Sequence, residues 1–167
     1  KKEYSRTRRT VIENAEAAVY EEKKIEEAPV MFLMDRFGYA KTIDLPTFER
    51  NKEAAENESR HIIQVMNTGK LVVFTDTGKM HMIKVMDVPF GKFRDKSVPI
   101  DNYSNFDSAT ERVVGVYALS DILEEKLLFA TKTGMVKIVA GAEFDVAKKT
   151  IASTKLADDD EVIGVFR

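Results

Sequence analysis

Leu71-Val72-Val73-Phe74-Thr75-Asp76-Thr77-Gly78-Lys79-Met80-His81-Met82 spells out two strands and the turn between them. A run rich in β-branched and aromatic residues meets a short polar stretch and a glycine, and a second run starts at once. The glycine supplies the positive φ that a tight hairpin requires. The same plan recurs at Met34-Asp35-Arg36-Phe37-Gly38-Tyr39-Ala40-Lys41 and at Thr131-Lys132-Thr133-Gly134-Met135-Val136-Lys137-Ile138. Gly38, Gly78 and Gly134 are 40 and 56 residues apart.

Working outward, short apolar runs flank each hairpin: Val30–Met34, Ile62–Met66, Val113–Ala118, Leu127–Thr131 and Val162–Phe166. Their length and composition are those of strands, and their continuity predicts strands covered on both faces. Met80–Val85 alternates and reads as half-buried. Lys96–Ile100 and Thr150–Lys155 each precede an acidic stretch, and each stretch is followed by a Val- or Ile-rich run containing Gly115 or Gly164. A period near 40–50 residues with several short strands per period predicts an all-β protein built of propeller-like blades. Each blade is expected to be a four-stranded antiparallel sheet, and residues 30–167 hold about three of them. Open sheet edges are expected at both ends. A plain antiparallel sandwich with three similar hairpins is the competing architecture.

Residues 1–29 differ. They carry seven basic and seven acidic side chains, no Gly, and a single Pro at position 29. They read as the end of a solvated helix followed by a linker. The chain does not begin with Met, as expected of a piece of a longer protein.

The whole chain has 167 residues and a formal net charge of −2. That balance argues against a strongly basic nonspecific nucleic-acid binder, so the distribution of charge must decide. The absence of Cys excludes disulfides and thiolate metal sites, and a reducing cytoplasmic setting is expected. No apolar run approaches the roughly 18 residues of a membrane span, and no leader is evident. His61 and His81 have no third ligand nearby in sequence, and Asp158-Asp159-Asp160-Glu161 reads as a solvated turn rather than a metal site.

The ordered set of motifs resembles the C-terminal DNA-binding domain of bacterial type IIA topoisomerase A subunits. Lys1 through Thr10 is similar to the end of the coiled-coil helix that precedes that domain. Asp35-Arg36-Phe37-Gly38-Tyr39-Ala40-Lys41 resembles its first-blade D-G-Y-V-K element. Leu71–Lys79 resembles the second-blade L-L-F-F-T-N-x-G-K, and Leu127–Lys137 the third-blade L-L-F-A-T-x-x-G-x-V-K. Ile151–Val165 resembles the segment that leads into the next blade. The resemblance implies a β-pinwheel, a propeller relative whose blades exchange a strand with their neighbours.

Two members of the family differ in one place. Gyrase carries a Gln-Arg-Arg-Gly-Gly-x-Gly box after the first hairpin, where this chain has Phe48 through Glu58, with no Gly, two basic residues and four acidic ones. The Pro89–Lys96 connection is also closer to topoisomerase IV. The resemblance is therefore to topoisomerase IV, with a gyrase wrapping domain and a protein-interaction propeller as the alternatives.

The partners implied by the resemblance are double-stranded DNA, the rest of the A subunit, plus the ATPase B subunit; no membrane is implied. The family's catalytic Tyr belongs to an upstream domain, and Tyr4, Tyr20, Tyr39, Tyr103 and Tyr117 are not in that context. This fragment is expected to be inactive alone and to hold no cofactor; ATP and Mg²⁺ are implied elsewhere in the parent enzyme.

Phosphate neutralisation needs Lys and Arg on one continuous face. Residues 70–100 contain Lys70, Lys79, Lys84, Lys92, Arg94 and Lys96 against Asp76, Asp87 and Asp95. Lys132, Lys137, Lys148 and Lys149 surround the third hairpin and its exit loop, and Arg36 and Lys41 the first. Repeated modules place equivalent residues on one rim, so these twelve are the expected DNA contacts. Phe37, Tyr39, Phe90 and Phe93 are expected in core and strand pairing rather than in base stacking.

Overall fold

The computed structural model describes residues 25–167. The helix end expected over the first residues, and most of the linker, lie outside them. The last linker residues are tied down by Asn67, whose side chain accepts from the Ala28 N–H at 3.1 Å and donates to the Glu26 carbonyl at 2.8 Å.

Three hairpins organise the chain. β1 (Pro29–Met34) and β2 (Tyr39–Asp44) form the first, β4 (Lys70–Thr75) and β5 (Lys79–Lys84) the second, and β8 (Lys126–Thr131) and β9 (Val136–Ala140) the third. Each turns on a glycine with positive φ: +84° at Gly38, +73° at Gly78 and +87° at Gly134. A fully described strand follows each hairpin and pairs antiparallel with its first strand: β3 (His61–Met66) on β1, β7 (Val113–Ala118) on β4, and β11 (Val162–Phe166) on β8. These inner strands approach one another, and Tyr117 on β7 donates its hydroxyl to the Val165 carbonyl on β11 at 2.6 Å.

The outermost strand of the first two sheets comes from further along the chain. β6 (Val98–Pro99), which follows the second hairpin, returns to β2 of the first sheet. β10 (Thr150–Ala152), which follows the third hairpin, returns to β5 of the second. The sheet orders are thus β3-β1-β2-β6, β10-β5-β4-β7 and β11-β8-β9. The first two blades have the expected four strands. The third has three among the described residues, because no strand lies on the outer edge of β9.

Apolar continuity follows from packing on both faces. Leu71 and Val73 of β4 join Phe32, Met34, Ile83 and Val116 between the first and second sheets. Val72 and Phe74 of the same strand join Met80, Leu127, Phe129 and Phe144 between the second and third. Phe74 meets Phe129 and Phe144 edge-on, with ring centroids 5.3 and 5.0 Å away. Met80 to Ile83 are all buried, which corrects the half-buried reading. His81 breaks the apolar pattern but is satisfied inside the fold, so alternation in the text did not mean exposure.

The segment between β2 and β3 is helical, which the strand pattern did not foretell. α1 (Leu45–Arg50) starts at Asp44, whose carboxylate accepts from the Thr47 N–H at 2.7 Å, with Pro46 in the first turn. α2 (Lys52–Glu58) follows after Asn51. Phe48 and Ala55 pack on Met31, Leu33 and Ile43 and close the free face of the first sheet. Glu49, Glu53, Glu56 and Glu58 are left exposed. No described helix is long and apolar enough to cross a membrane.

Candidate nucleic-acid interface

The cations sort into two groups according to what the exchanged strands do. Four are engaged by the protein itself. Lys41, on β2, is half-buried; its ammonium donates to the Phe93 carbonyl, and to that of Asp95 at 3.4 Å. Lys79 lies 2.5 Å from Glu111, Lys70 3.6 Å from Asp145, and Lys132 3.9 Å from Glu161. Lys79 is held by a carboxylate that is itself 3% exposed, so its charge is committed to the interior. These four are fastening groups as well as charges, and the expected even track of twelve becomes an uneven one.

The second group is exposed and makes no ion pair among the described residues: Lys84, Lys92, Arg94, Lys96, Lys137, Lys148 and Lys149. All lie on outer strands or on the segments that cross to them. Lys92, Arg94 and Lys96 belong to the connection that reaches β6. Within it, Asp95 caps the Lys92 N–H at 2.7 Å, and the Thr42 N–H donates to the Pro89 carbonyl at 2.9 Å. Lys148 and Lys149 lead into β10, and the Lys149 carbonyl accepts from Met82 at 2.8 Å. That bond sets the pair beside β5, which ends at Lys84. Lys137 stands on the uncovered edge strand β9. Arg36 is exposed at the tip of the first hairpin.

Two arginines were missed. Arg60 and Arg112 each precede an inner strand, in the place that Glu161 holds in the third blade. In the second and third blades that residue accepts through its carbonyl, from the Asp76 N–H at 2.9 Å and from the Lys132 N–H at 2.9 Å; in the first the bond runs the other way, from the Arg60 N–H to the Met34 carbonyl at 2.8 Å. Aligning the blades at the start of the inner strand, rather than at the glycine, would have found them. Arg112 bridges Asp76 at 2.9 Å and Glu161 at 3.1 Å, and these carboxylates raise its pKa. Arg60 is exposed and makes no ion pair among the described residues.

Phe37, Tyr39 and Phe90 are 66%, 45% and 64% exposed, which corrects their assignment to the core. Phe93 is half-buried beneath Lys41, whose ammonium sits 4.8 Å from the ring centroid. Phe37 lies on a hairpin tip and Phe90 and Phe93 on a crossing segment, where no second sheet covers them; Tyr39 opens β2 and pairs with Pro99, as the expected strand pairing requires.

The remaining polar groups are structural. His81 is buried. Its Nε2 lies 2.7 Å from Glu111 and its Nδ1 3.0 Å from Thr150. Burial pushes the Glu111 pKa up, but hydrogen bonds from Lys79 and His81 and their charges bring it below the ordinary value. In the acidic turn, Asp160 accepts from the Thr133 N–H at 3.0 Å and the Thr133 hydroxyl at 2.7 Å. Desolvation opposes its ionisation, yet these bonds, with Thr131 and the Glu161 N–H, lower its pKa to about 2. Among the described residues no cluster of three metal-ligating side chains forms.

No protein-family model matches the chain. Curated relatives do. The DNA gyrase A subunit of Clostridium acetobutylicum is 27% identical over 177 residues, covering 99% of this chain and 21% of its own length. That of Neisseria gonorrhoeae is 29% identical over 176 residues, covering 98% of this chain and 19% of its own. The chain thus spans about a fifth of the length of these relatives. Among solved structures, the C-terminal domain of a DNA topoisomerase IV superposes with a TM-score of 0.72 at 21% identity, over 85% of this chain and 46% of that one. The E. coli ParC C-terminal domain gives 0.64 at 15% identity, over 82% and 55%. The β-pinwheel fold is borne out, as is the resemblance to the C-terminal domains of type IIA topoisomerase A subunits. The sequence matches are gyrases and the fold matches are topoisomerase IV domains, so the two members are not told apart.

Proposed function

We propose that this domain binds duplex DNA along its outer rim through phosphate contacts and bends it, in the manner of topoisomerase IV rather than of a wrapping gyrase. One observation carries the reading: of the eight expected contacts that the protein does not itself engage, all but Arg36 lie on β5, on β9 or on the segments that cross between blades. Phosphate contacts position a duplex without reading its bases, and a curved row of lysines asks for little more. The acidic α1–α2 unit stands where a gyrase would present its basic box. A carboxylate-rich helical face repels a phosphate backbone, so the DNA path is interrupted there and full wrapping is disfavoured.

In the parent protein the bent segment would be presented for ATP-dependent strand passage, an isomerase reaction whose tyrosine, ATP and Mg²⁺ belong to other domains. The protein partners in this reading are the rest of the A subunit, plus the ATPase B subunit. The setting is the bacterial cytoplasm.

The test is a salt titration of duplex binding by fluorescence anisotropy. Seven phosphates neutralised by the seven unpaired rim cations would give a log–log salt slope of at most about −6, from roughly 0.9 per phosphate contact. Lys148→Glu with Lys149→Glu should flatten the slope by about 2 and weaken binding at every salt concentration. Lys132→Gln, which removes a cation already near a carboxylate, should change it far less. A slope that does not respond to the double reversal would refute the rim assignment.

A further inference from the structure

Two cavities share the tip of the first hairpin. One, of about 620 Å³, lies between β2, the end of α2 and the segment that crosses to β6, with Phe37, Tyr39, Phe93, Arg36, Lys41 and Arg60 on its walls. The other, of about 290 Å³, lies on the opposite side of Arg36, Phe37 and Arg60 and runs toward Phe106 and Arg112. The larger one lies in the size range of small-molecule sites. Its composition is unusual for a rim: three aromatic rings and three cations against the carboxylates of Asp35 and Glu58.

The Asp35 carboxylate is already engaged. It accepts from the Phe37 N–H at 2.8 Å and the Tyr39 N–H at 3.0 Å, and so fixes the turn that holds the Phe37 ring outward. The Arg36 guanidinium sits 4.7 Å from the centroid of that ring. Arg36 and Arg60 make no ion pair among the described residues. An exposed ring on a rigid turn is a stacking platform, and two guanidinium groups beside it, neither paired with a carboxylate among the described residues, suit a phosphate. Asn57, Ser59 and Ser97 add hydrogen-bonding groups to the wall.

We propose that this pocket takes one unstacked nucleotide of a nucleic-acid strand, its base against Phe37 and Tyr39 and its phosphate on Arg36 and Arg60. The inference rests on the nucleic-acid reading of the rim but uses none of the seven cations on which that reading is tested, so the two can fail separately. The site would favour DNA that is kinked or carries an unpaired base, because the cost of unstacking is already met there.

The experiment compares a perfect duplex with the same duplex carrying a single-nucleotide bulge of 2-aminopurine, using the whole chain and reading both anisotropy and 2-aminopurine fluorescence. The bulged duplex should bind about tenfold more tightly, the worth of one stacked base, with a change in probe emission. Phe37→Ala or Arg60→Gln should abolish that preference and leave perfect-duplex affinity within about twofold; both positions are exposed, and circular dichroism checks the fold. Lys148→Glu with Lys149→Glu should weaken both duplexes and keep the preference. Equal binding of the two duplexes by the unmodified chain overturns the pocket while leaving the rim intact. A bulge preference that survives Phe37→Ala and Arg60→Gln overturns it as well. Free dAMP or ATP tests the other source of the same chemistry: competition by millimolar nucleotide without any bulge preference would overturn assignment to a strand.

Discussion

Glu111 is the buried anion on which the second blade closes, and its removal should cost stability in a predictable way. Its side chain is 3% exposed and receives Lys79 at 2.5 Å and the buried His81 at 2.7 Å. His81 in turn meets Thr150, the first residue of the exchanged strand β10, so the group joins the 100–112 loop, β5 and β10. Glu111→Ala strips two charge-assisted hydrogen bonds. The Lys79 side chain is 49% exposed and can return to water, which recovers most of its share. His81 is 1% exposed and cannot. The loss is therefore dominated by one orphaned buried group plus a small cavity, about 2–3 kcal/mol. Glu111→Gln keeps an acceptor for His81 and should lose about 1–1.5 kcal/mol. At this chain length the alanine variant should melt about 4–12 °C lower. Urea unfolding at pH 7 measures both variants. The carboxylate pKa is lowered in the fold, so its contribution is present above the ordinary value of 4.5 and is lost as pH falls through the folded value. The gap between wild type and Glu111→Gln should close on that acid limb. If both variants stay within about 0.5 kcal/mol of wild type at pH 7, the size of an ordinary surface change, the network does not hold the blade.

The hairpin glycines separate conformational strain from contact. Gly134→Ala meets nothing within 4 Å and should lose only the about 1–2 kcal/mol of a left-handed alanine, whereas at Gly78 a Cβ would stand 2.8 Å from the Thr154 carbonyl, so Gly78→Ala should lose at least about 1 kcal/mol more. Equal losses in urea would show that the crossing segment at Ser153 and Thr154 yields freely. His61 supplies a pH signature: burial and the neighbouring Arg60 hold its pKa down to about 4 from 6.5. Its contribution is complete above 6.5 and is lost as pH falls from there toward 4. Between about pH 7 and 4.5 wild type should therefore lose about 1–2 kcal/mol more than His61→Leu, after allowance for partial exposure, and parallel stability curves would rule this out.

The hairpins were readable because each depends on a local requirement, a glycine at positive φ after an apolar run. Blade number followed from their recurrence. The exchange of strands was not readable from periodicity, because β6 and β10 are two and three residues long and carry almost no pattern; only the resemblance implied it. The helices at 45–58 had a local signal, Asp44 followed by Pro46 and Thr47, but it is a single cap with no long apolar stripe behind it. Within the candidate interface, the residue types were legible and their partners were not. Glu111, Asp145 and Glu161 reach Lys79, Lys70 and Lys132 from loops far along the chain, and no spacing rule links them. The acidic turn reads as solvated, yet Asp160 is buried on the Thr133 turn.

The partition of the cations has a single geometric cause. Lys41, His81 and Lys137 occupy the same place, three residues after the hairpin glycine, on the second hairpin strand of successive blades. In the first blade the segment crossing from the second lies over that place, and the Lys41 ammonium is taken up by its carbonyls. In the second, β10 covers it, and His81 is buried against Thr150 and Glu111. In the third, no strand covers β9 among the described residues, and Lys137 is exposed. A covered side chain at this place becomes a structural group, while the cations on the covering segment, Lys92, Arg94 and Lys96 or Lys148 and Lys149, are exposed in its stead. The accessible charge on one blade is thus carried mainly by chain that follows the next hairpin. Rim charge and blade-to-blade attachment are consequently one feature: a substitution that loosens a crossing segment should weaken any phosphate contact made by its lysines even when every lysine is retained.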